Sequence, residues 1–124
     1  MNRWSPLVFW TLLVVPAAPV SAQAAAPPSG APVFEADILP IFAAQCLKCH
    51  GRESLLAKLD LRTVAMVREG GQSGPVVMEG DAERSLLFQR VAADQMPPGD
   101  ALKLLPEQKL MIRRWIDAGL LSAR

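Results

Sequence analysis

Two cysteines and the only histidine of the chain stand together in the segment Cys46-Leu47-Lys48-Cys49-His50. Each thiol can add across one vinyl group of haem to form a thioether, and a gap of two residues suits the separation of the two vinyl groups. The imidazole that follows is then placed to bind the iron as its proximal ligand. The segment therefore predicts covalent attachment of one c-type haem through Cys46, Cys49 and His50.

Three other uses of these side chains fit the sequence less well. A thioredoxin-like dithiol accompanies a βαβ pattern, which this sequence lacks. A structural zinc site needs four ligands, whereas two cysteines and one histidine supply three. A disulfide between thiols two residues apart closes too small a loop to add much stability. Haem attachment is the interpretation that uses all three side chains.

The sixth position of the iron requires a ligand other than histidine, because the chain has no second one. Methionine thioether is the usual sixth ligand in electron-transfer cytochromes. Met66 and Met111 fall within predicted helices, where a core-filling role is favoured. Met96 precedes two prolines, which bias its backbone towards an extended conformation and stiffen the loop. We predict Met96 as the distal ligand, and the alternatives are Met78, which also lies in a predicted loop, and an open sixth position.

Helices rather than strands are predicted to position these residues, since apolar side chains recur at helical spacing. Asp37, Thr63 and Asp81 are candidate N-caps of the first three helices, and Pro106 suits the first turn of a fourth. The predicted helices run from 38 to 46, 64 to 69, 82 to 92 and 106 to about 119. Their expected core residues include Ile38, Ile41, Phe42, Leu86, Leu87, Val91, Met111, Ile112, Trp115 and Ile116. The predicted fold class is a small all-α domain with long loops.

Residues 1–22 have the pattern of a secretory signal peptide. Arg3 precedes a charge-free apolar run, and small residues at 20–22 form a cleavage site. Two prolines interrupt the end of the run, which is shorter than the roughly 20 residues that a bilayer requires. We therefore predict export to the periplasm or another extracytoplasmic compartment, with no stable membrane anchor after cleavage.

Length and composition limit what the remaining chain can be. A chain of 124 residues suggests one domain, and a formal net charge of +1 excludes a nucleic-acid binder that relies on a basic surface. Two cysteines exclude a disulfide-rich scaffold. Residues 23–33 are rich in alanine and proline and predict a flexible linker. Residues 34–124 are predicted to form the haem-bearing domain.

These residues together resemble the planctomycete-type cytochrome c domain, a branch of the small monohaem c-type cytochromes. Besides the haem motif, the matching stretches are 34–41, 59–63, 70–75, 80–81, 85–87, 96–98 and 115–119. The resemblance implies a helical cytochrome c fold around one covalently bound haem c, with Met96 as axial ligand. One departure is that Met78-Glu79 precede Gly80, where the family usually has proline, and this keeps Met78 as a candidate.

Two supporting contacts also follow from this comparison. A Gly-Pro segment offers the carbonyl that orients the proximal histidine in related cytochromes, so Gly74 or Pro75 is a candidate partner of His50, although an ordinary turn explains this dipeptide as well. Arg62 is a candidate partner of a haem propionate, because a guanidinium binds carboxylates through two parallel hydrogen bonds. A solvated surface arginine is the alternative for Arg62.

The predicted function is that of an electron carrier and not of an enzyme. One electron passes between redox partner proteins outside the cytoplasm, and no substrate is transformed. A haem-based sensor or docking module with a displaceable sixth ligand is the alternative. A peroxidase fits less well, because it needs a distal acid–base group and no second histidine exists. The balanced charge predicts no one-sign docking face, so the sequence leaves the redox partner unidentified.

Overall fold

A computed structural model of the chain describes residues 30–123. The predicted signal peptide and residues 23–29 of the predicted linker lie outside the described residues and stay predictions. Contacts with the domain begin at Gly30, whose carbonyl accepts a hydrogen bond from Arg114 at 3.1 Å. Within the described range, no helix is both long and apolar enough to cross a membrane.

Helices and turns make up the described part of the chain, in agreement with the predicted all-α class. A π-helical turn at Phe34–Ile38 leads directly into helix α1, and a short 3-10 turn lies at Leu56–Lys58. The α-helices are α1 (Leu39–Gln45), α2 (Val64–Glu69), α3 (Leu86–Ala92) and α4 (Pro106–Asp117). Between residues 30 and 123 no extended strand forms, and two isolated bridges pair His50 with Leu55 and Gly71 with Gly74.

Two predicted helix starts are confirmed. Thr63 is extended, and its hydroxyl accepts a hydrogen bond from the Met66 N–H at 3.2 Å, as an N-cap residue should. Pro106 is the first residue of α4, where its missing N–H leaves no helical hydrogen bond unmade. Helix α2 ends at Gly70, which adopts a φ of 77° that glycine accommodates without strain.

The prediction that Asp37 caps the first helix is wrong. Helical turns begin three residues earlier, at Phe34, with Val33 in the N-cap position. The Asp37 carboxylate lies inside the first turn and accepts a hydrogen bond from the Val33 N–H at 2.8 Å. Asp37 therefore satisfies a free backbone donor at the helix start from inside the helix, as the acidic member of a capping box does.

The prediction that Asp81 caps the third helix is also wrong, because α3 begins only at Leu86. The Asp81 carboxylate accepts a hydrogen bond from the Arg84 N–H at 3.0 Å within the preceding turn. Ser85 is fully buried and extended, and its hydroxyl donates to the Asp81 carbonyl at 2.8 Å and accepts from the Met78 N–H at 2.8 Å. This buried serine separates the turn from the helix.

Three aromatic rings form the centre of the core. Trp115 of α4 lies 5.4 Å from Phe34 and 6.2 Å from Phe42, between ring centroids, and Phe34 lies 6.0 Å from Phe42. The indole N–H of Trp115 donates to the Leu121 carbonyl at 3.0 Å, so its one polar atom is satisfied. The cluster therefore joins the start of the domain to its last helix.

Most of the predicted core residues are buried, with two exceptions. Leu86 remains 37% exposed, and Met111 is only partly buried. Leu86 faces the cavity described below rather than the aromatic core. Leu87 and Val91 belong to the hydrophobic core and also line this cavity. The apolar side of α3 therefore contacts both the core and the cavity.

Candidate haem site

A cavity of about 740 Å³ opens beside the cysteine–histidine motif. This volume falls within the range of about 300–1,000 Å³ that is typical of small-molecule and cofactor sites. Its apolar wall includes Phe42, Leu59, Leu61, Val76, Leu87 and Val91. Cys46, Cys49, His50 and Met96 also line it. The structure therefore brings the sequence-predicted attachment and ligand residues around one apolar space.

The motif reaches the cavity through a tight turn at the end of α1. The Cys46 N–H donates to the Phe42 carbonyl at 2.7 Å, which continues the helical pattern by one residue. The N–H groups of Cys49 and His50 then donate to the Cys46 carbonyl at 3.1 and 2.9 Å. This turn places both thiols and the imidazole on the cavity wall, and both thiols are free.

The hydrogen bond made by His50 determines which of its ring nitrogens can bind a metal. Its Nδ1 lies 3.0 Å from the Leu56 carbonyl oxygen. A carbonyl can only accept a hydrogen bond, so Nδ1 must carry the proton. In the neutral ring Nε2 then keeps its lone pair, which is the form that a metal ligand requires.

The prediction that Gly74 or Pro75 supplies the carbonyl partner of His50 is wrong. The carbonyl belongs to Leu56. The backbone bends sharply after Leu56, because Ala57 and Lys58 have φ values of 56° and 55° in the left-handed region. The sequence does not indicate which residue supplies this carbonyl, because every residue has one.

Backbone hydrogen bonds hold the Leu56 loop against the motif. The Leu56 N–H donates to the Cys49 carbonyl at 3.0 Å, and the Leu61 N–H donates to the His50 carbonyl at 2.9 Å. Glycine is also required at position 51, immediately after the motif, because a Cβ there would lie 2.5 Å from the carbonyl oxygen of Leu47. Backbone hydrogen bonds at Cys49 and at His50 therefore hold the part of the backbone that carries the imidazole.

Met96 is the only methionine among residues 30–123 that lines the cavity. Its N–H donates to the Arg90 carbonyl at 3.2 Å at the end of α3, and the peptide bond that follows it is cis. Met78 is 43% exposed and lies outside the cavity lining, with its N–H bonded to the Ser85 hydroxyl at 2.8 Å. Of the two candidates that the sequence left open, the structure thus places Met96 beside the motif and Met78 away from it.

The cavity wall contains a protonated thiol and two cationic side chains. Burial, with a smaller contribution from Cys49, raises the pKa of Cys46 to about 11. At neutral pH Cys46 is therefore an uncharged thiol, which suits an apolar wall. Lys48 and Arg90 also line the cavity, and the Arg90 guanidinium donates to the Gln95 side chain at 2.6 Å. These two cations, rather than Arg62, are placed to meet carboxylates of a bound ligand.

Arg62 is paired with its neighbour Asp60 and does not line the cavity. Its Nη2 and Nε donate to the Asp60 carboxylate at 2.7 and 3.0 Å, and its backbone N–H donates to the same group at 3.0 Å. These hydrogen bonds hold the pKa of Asp60 below its usual value. The pair stiffens the turn between the Leu56 loop and α2.

We expect Asp60→Asn to lower the free energy of unfolding at neutral pH, by at most about 1 kcal/mol for a partly exposed pair. Because the pKa of Asp60 is lower in the folded than in the unfolded state, its stabilising effect is complete above the unfolded pKa. The effect is lost as the pH falls through the folded pKa. Urea unfolding of both proteins at pH 7 and in strong acid should show a stability difference that shrinks in acid.

Asp100→Asn is the matched control for this prediction. Asp100 is exposed and makes no side-chain hydrogen bond or ion pair with the other residues that the structure describes. Its substitution should leave the unfolding midpoint unchanged at both pH values. A difference between Asp60→Asn and the wild type that is the same at both pH values would contradict the ionic role of Asp60.

The helical fold and the cysteine–histidine motif beside the cavity agree with the class of small cytochrome c-like domains. The family model described as Planctomycete cytochrome C matches residues 46–100, from the first cysteine of the motif through the Met96 loop. The match confirms the resemblance over these 55 of the 124 residues. Comparisons with curated proteins and with solved structures gave no match.

Proposed function

We propose that this protein is a monohaem c-type cytochrome that carries single electrons between redox partner proteins outside the cytoplasm. The observation that carries the proposal is one cavity lined by Cys46, Cys49, His50 and Met96. Two thiols for attachment, with a histidine and a methionine as axial ligands, are the set that is typical of electron-transfer cytochromes c. The family match supports the same assignment over residues 46–100.

The residues present fit a haem group in shape and in chemistry. An apolar cavity of about 740 Å³ suits a large apolar cofactor, and Lys48 and Arg90 offer cations for its carboxylates. Cys46 and Cys49 would hold the group through thioethers, with His50 Nε2 and the Met96 sulfur as the axial ligands. When bound, haem supplies an iron that changes between Fe(III) and Fe(II).

The protein's own residues contribute orientation and exclusion of water. The Leu56 carbonyl holds the His50 ring in one tautomer and one orientation, and this hydrogen bond increases the basicity of the ligand nitrogen. The apolar wall would exclude water from a group bound beside the imidazole. Among the described residues, the cavity offers no second histidine as a distal acid–base group, so electron transfer fits the site better than peroxide chemistry.

A haem-based sensor is the second candidate, and the position of Met96 in a loop favours it. Met96 lies between α3 and α4 and outside both helices, so it can move without disrupting a helix. A sensor requires that this methionine leaves the iron readily, whereas a carrier requires that it stays bound in both oxidation states. The rate of carbon monoxide binding to the reduced protein distinguishes the two functions.

The test replaces each candidate methionine in the haem-loaded protein. We expect the wild type to give a reversible one-electron wave in voltammetry and to bind carbon monoxide slowly. Met96→Ala should bind carbon monoxide rapidly, and its midpoint potential should fall by on the order of 100 mV, because thioether ligation raises the potential. Met78→Ala is the matched control and should behave like the wild type.

Other outcomes of this test have distinct meanings. Rapid carbon monoxide binding by the wild type, with a sulfur–iron absorption band in the absence of gas, would favour the sensor. A loss of that band in Met78→Ala, with Met96→Ala unchanged, would contradict the assignment of Met96.

A further inference from the structure

The loop that carries Met96 has few backbone donors of its own. Pro97 and Pro98 lack N–H groups, so this part of the loop cannot form the usual backbone hydrogen bonds. The carbonyls of Pro97 and Gly99 are instead bound by the ammonium group of Lys103, with the contact to Gly99 at 3.0 Å. One side chain therefore closes the loop on the side that follows Met96.

The other side of Met96 is held by α3 and α4. The N–H groups of Gln95 and Met96 donate to the Arg90 carbonyl at 2.9 and 3.2 Å. The Lys109 ammonium binds the carboxylate of Asp94 at 2.7 Å. Met96 thus lies between two segments that polar contacts hold in place, residues 94–95 before it and residues 97–99 after it. The Lys103 ammonium group makes the contacts that hold the second segment.

The position of Lys103 beside the hydrophobic core restricts its movement. It is partly buried, and the next residue, Leu104, is only 4% exposed and belongs to the hydrophobic core. Its hydrogen bonds are charge-assisted, and such bonds are stronger than those between neutral groups. A core-anchored cation that binds two carbonyls restricts the loop more than solvent would.

We propose that Lys103 is a positioning residue that holds Met96 where its thioether can bind the iron. This inference rests on the proposed function, since it concerns the same sixth position. A thioether is a weak ligand, so the fraction of time that it stays bound depends on how closely the loop confines it. Removing the ammonium should leave haem attachment intact and weaken the methionine bond alone.

The experiment compares three variants of the haem-loaded protein with the wild type. Lys103→Leu keeps an apolar side chain, removes the donors and adds no further thioether, whereas Lys103→Arg keeps a cationic donor. Lys58→Leu removes the same charge from an exposed lysine that makes no side-chain hydrogen bond or ion pair with the other described residues. The measurements are the far-red sulfur–iron band, the rate of carbon monoxide binding, and amide hydrogen exchange of residues 95–102.

We expect Lys103→Leu to bind carbon monoxide about tenfold faster, because the loop loses both charge-assisted hydrogen bonds of the ammonium group. Its sulfur–iron band should weaken, and amide exchange should accelerate in the non-proline residues of 95–102 but not in α1 or α4. Lys103→Arg should restore most of the wild-type behaviour, and Lys58→Leu should match the wild type. Covalent haem content should be equal in all four proteins.

Three results would overturn the proposal. The first is a Lys103→Leu protein with the wild-type carbon monoxide rate and wild-type exchange. The second is exchange that accelerates equally throughout the domain, because Lys103 would then act on global stability. The third is a wild-type protein without a sulfur–iron band, which refutes the assignment of Met96 as well. In that case local exchange in Lys103→Leu still shows whether the loop depends on this lysine, so the two failures remain distinguishable.

Discussion

The double variant Cys46→Ser, Cys49→Ser is expected to lose all covalently bound haem. Serine has nearly the same shape as cysteine, but its hydroxyl does not add across a vinyl group, so no thioether can form. We expect this loss when the chain is exported together with a cytochrome c maturation system and then extracted with acidified solvent. The measurement is the haem absorbance that remains per unit of protein after extraction.

The control for this prediction lies between the two thiols. Lys48 is exposed and separates the cysteines in sequence, so Lys48→Ser tests whether any change in this turn prevents attachment. Lys48→Ser should keep its haem through extraction, because the loss of a contact with a haem carboxylate does not break a thioether bond. Haem that resists extraction from the double variant would show that attachment uses other residues, and the cysteines would then lose their proposed role.

Trp115→Ala is expected to have the largest effect on stability. Trp115 is fully buried, packs against Phe34 and Phe42, and bonds through its indole N–H to the Leu121 carbonyl. Truncation of a buried tryptophan costs about 3–5 kcal/mol. Small domains are stable by only about 5–15 kcal/mol, so this change removes a large fraction of the total. Phe42 also lines the cavity, so haem loading should fall as well.

Urea unfolding of the haem-loaded protein, followed by far-ultraviolet circular dichroism, measures this effect. Leu110→Ala is the control because Leu110 is 54% exposed on the same helix. Its expected cost is within about 0.5 kcal/mol, as for most surface substitutions. Equal unfolding midpoints for the two variants would show that the aromatic cluster does not determine the stability of the domain.

Local signals in the sequence were sufficient to predict where two of the helices begin. The hydroxyl of Thr63 and the proline at 106 mark helix starts because the groups that they satisfy lie within one turn. Asp81 makes the same kind of hydrogen bond as Thr63, with the N–H three residues further on, but the turn that it caps does not continue into a helix. Asp37 instead binds a backbone N–H that precedes it. Helix α3 starts only after Ser85, whose hydroxyl accepts a hydrogen bond from the Met78 N–H seven residues earlier.

The candidate site shows the same division between local and tertiary information. The motif from Cys46 to His50 is read directly from its spacing, since one turn positions all three functional side chains. The choice between Met96 and Met78 depends on where α3 and its following loop pack, which the sequence alone did not determine. The contacts of Leu56 and Lys103 use backbone carbonyls as acceptors, and carbonyls leave no signature in a sequence.

The visible spectrum of the exported protein, recorded after extraction with acidified solvent, tests the central claim most directly. Our account predicts haem that stays with the protein, a sharp low-spin spectrum on reduction, and a weak far-red sulfur–iron band on oxidation. These features would report thioether attachment together with ligation by His50 and a methionine. A colourless protein whose Cys46 and Cys49 form a disulfide would contradict the account.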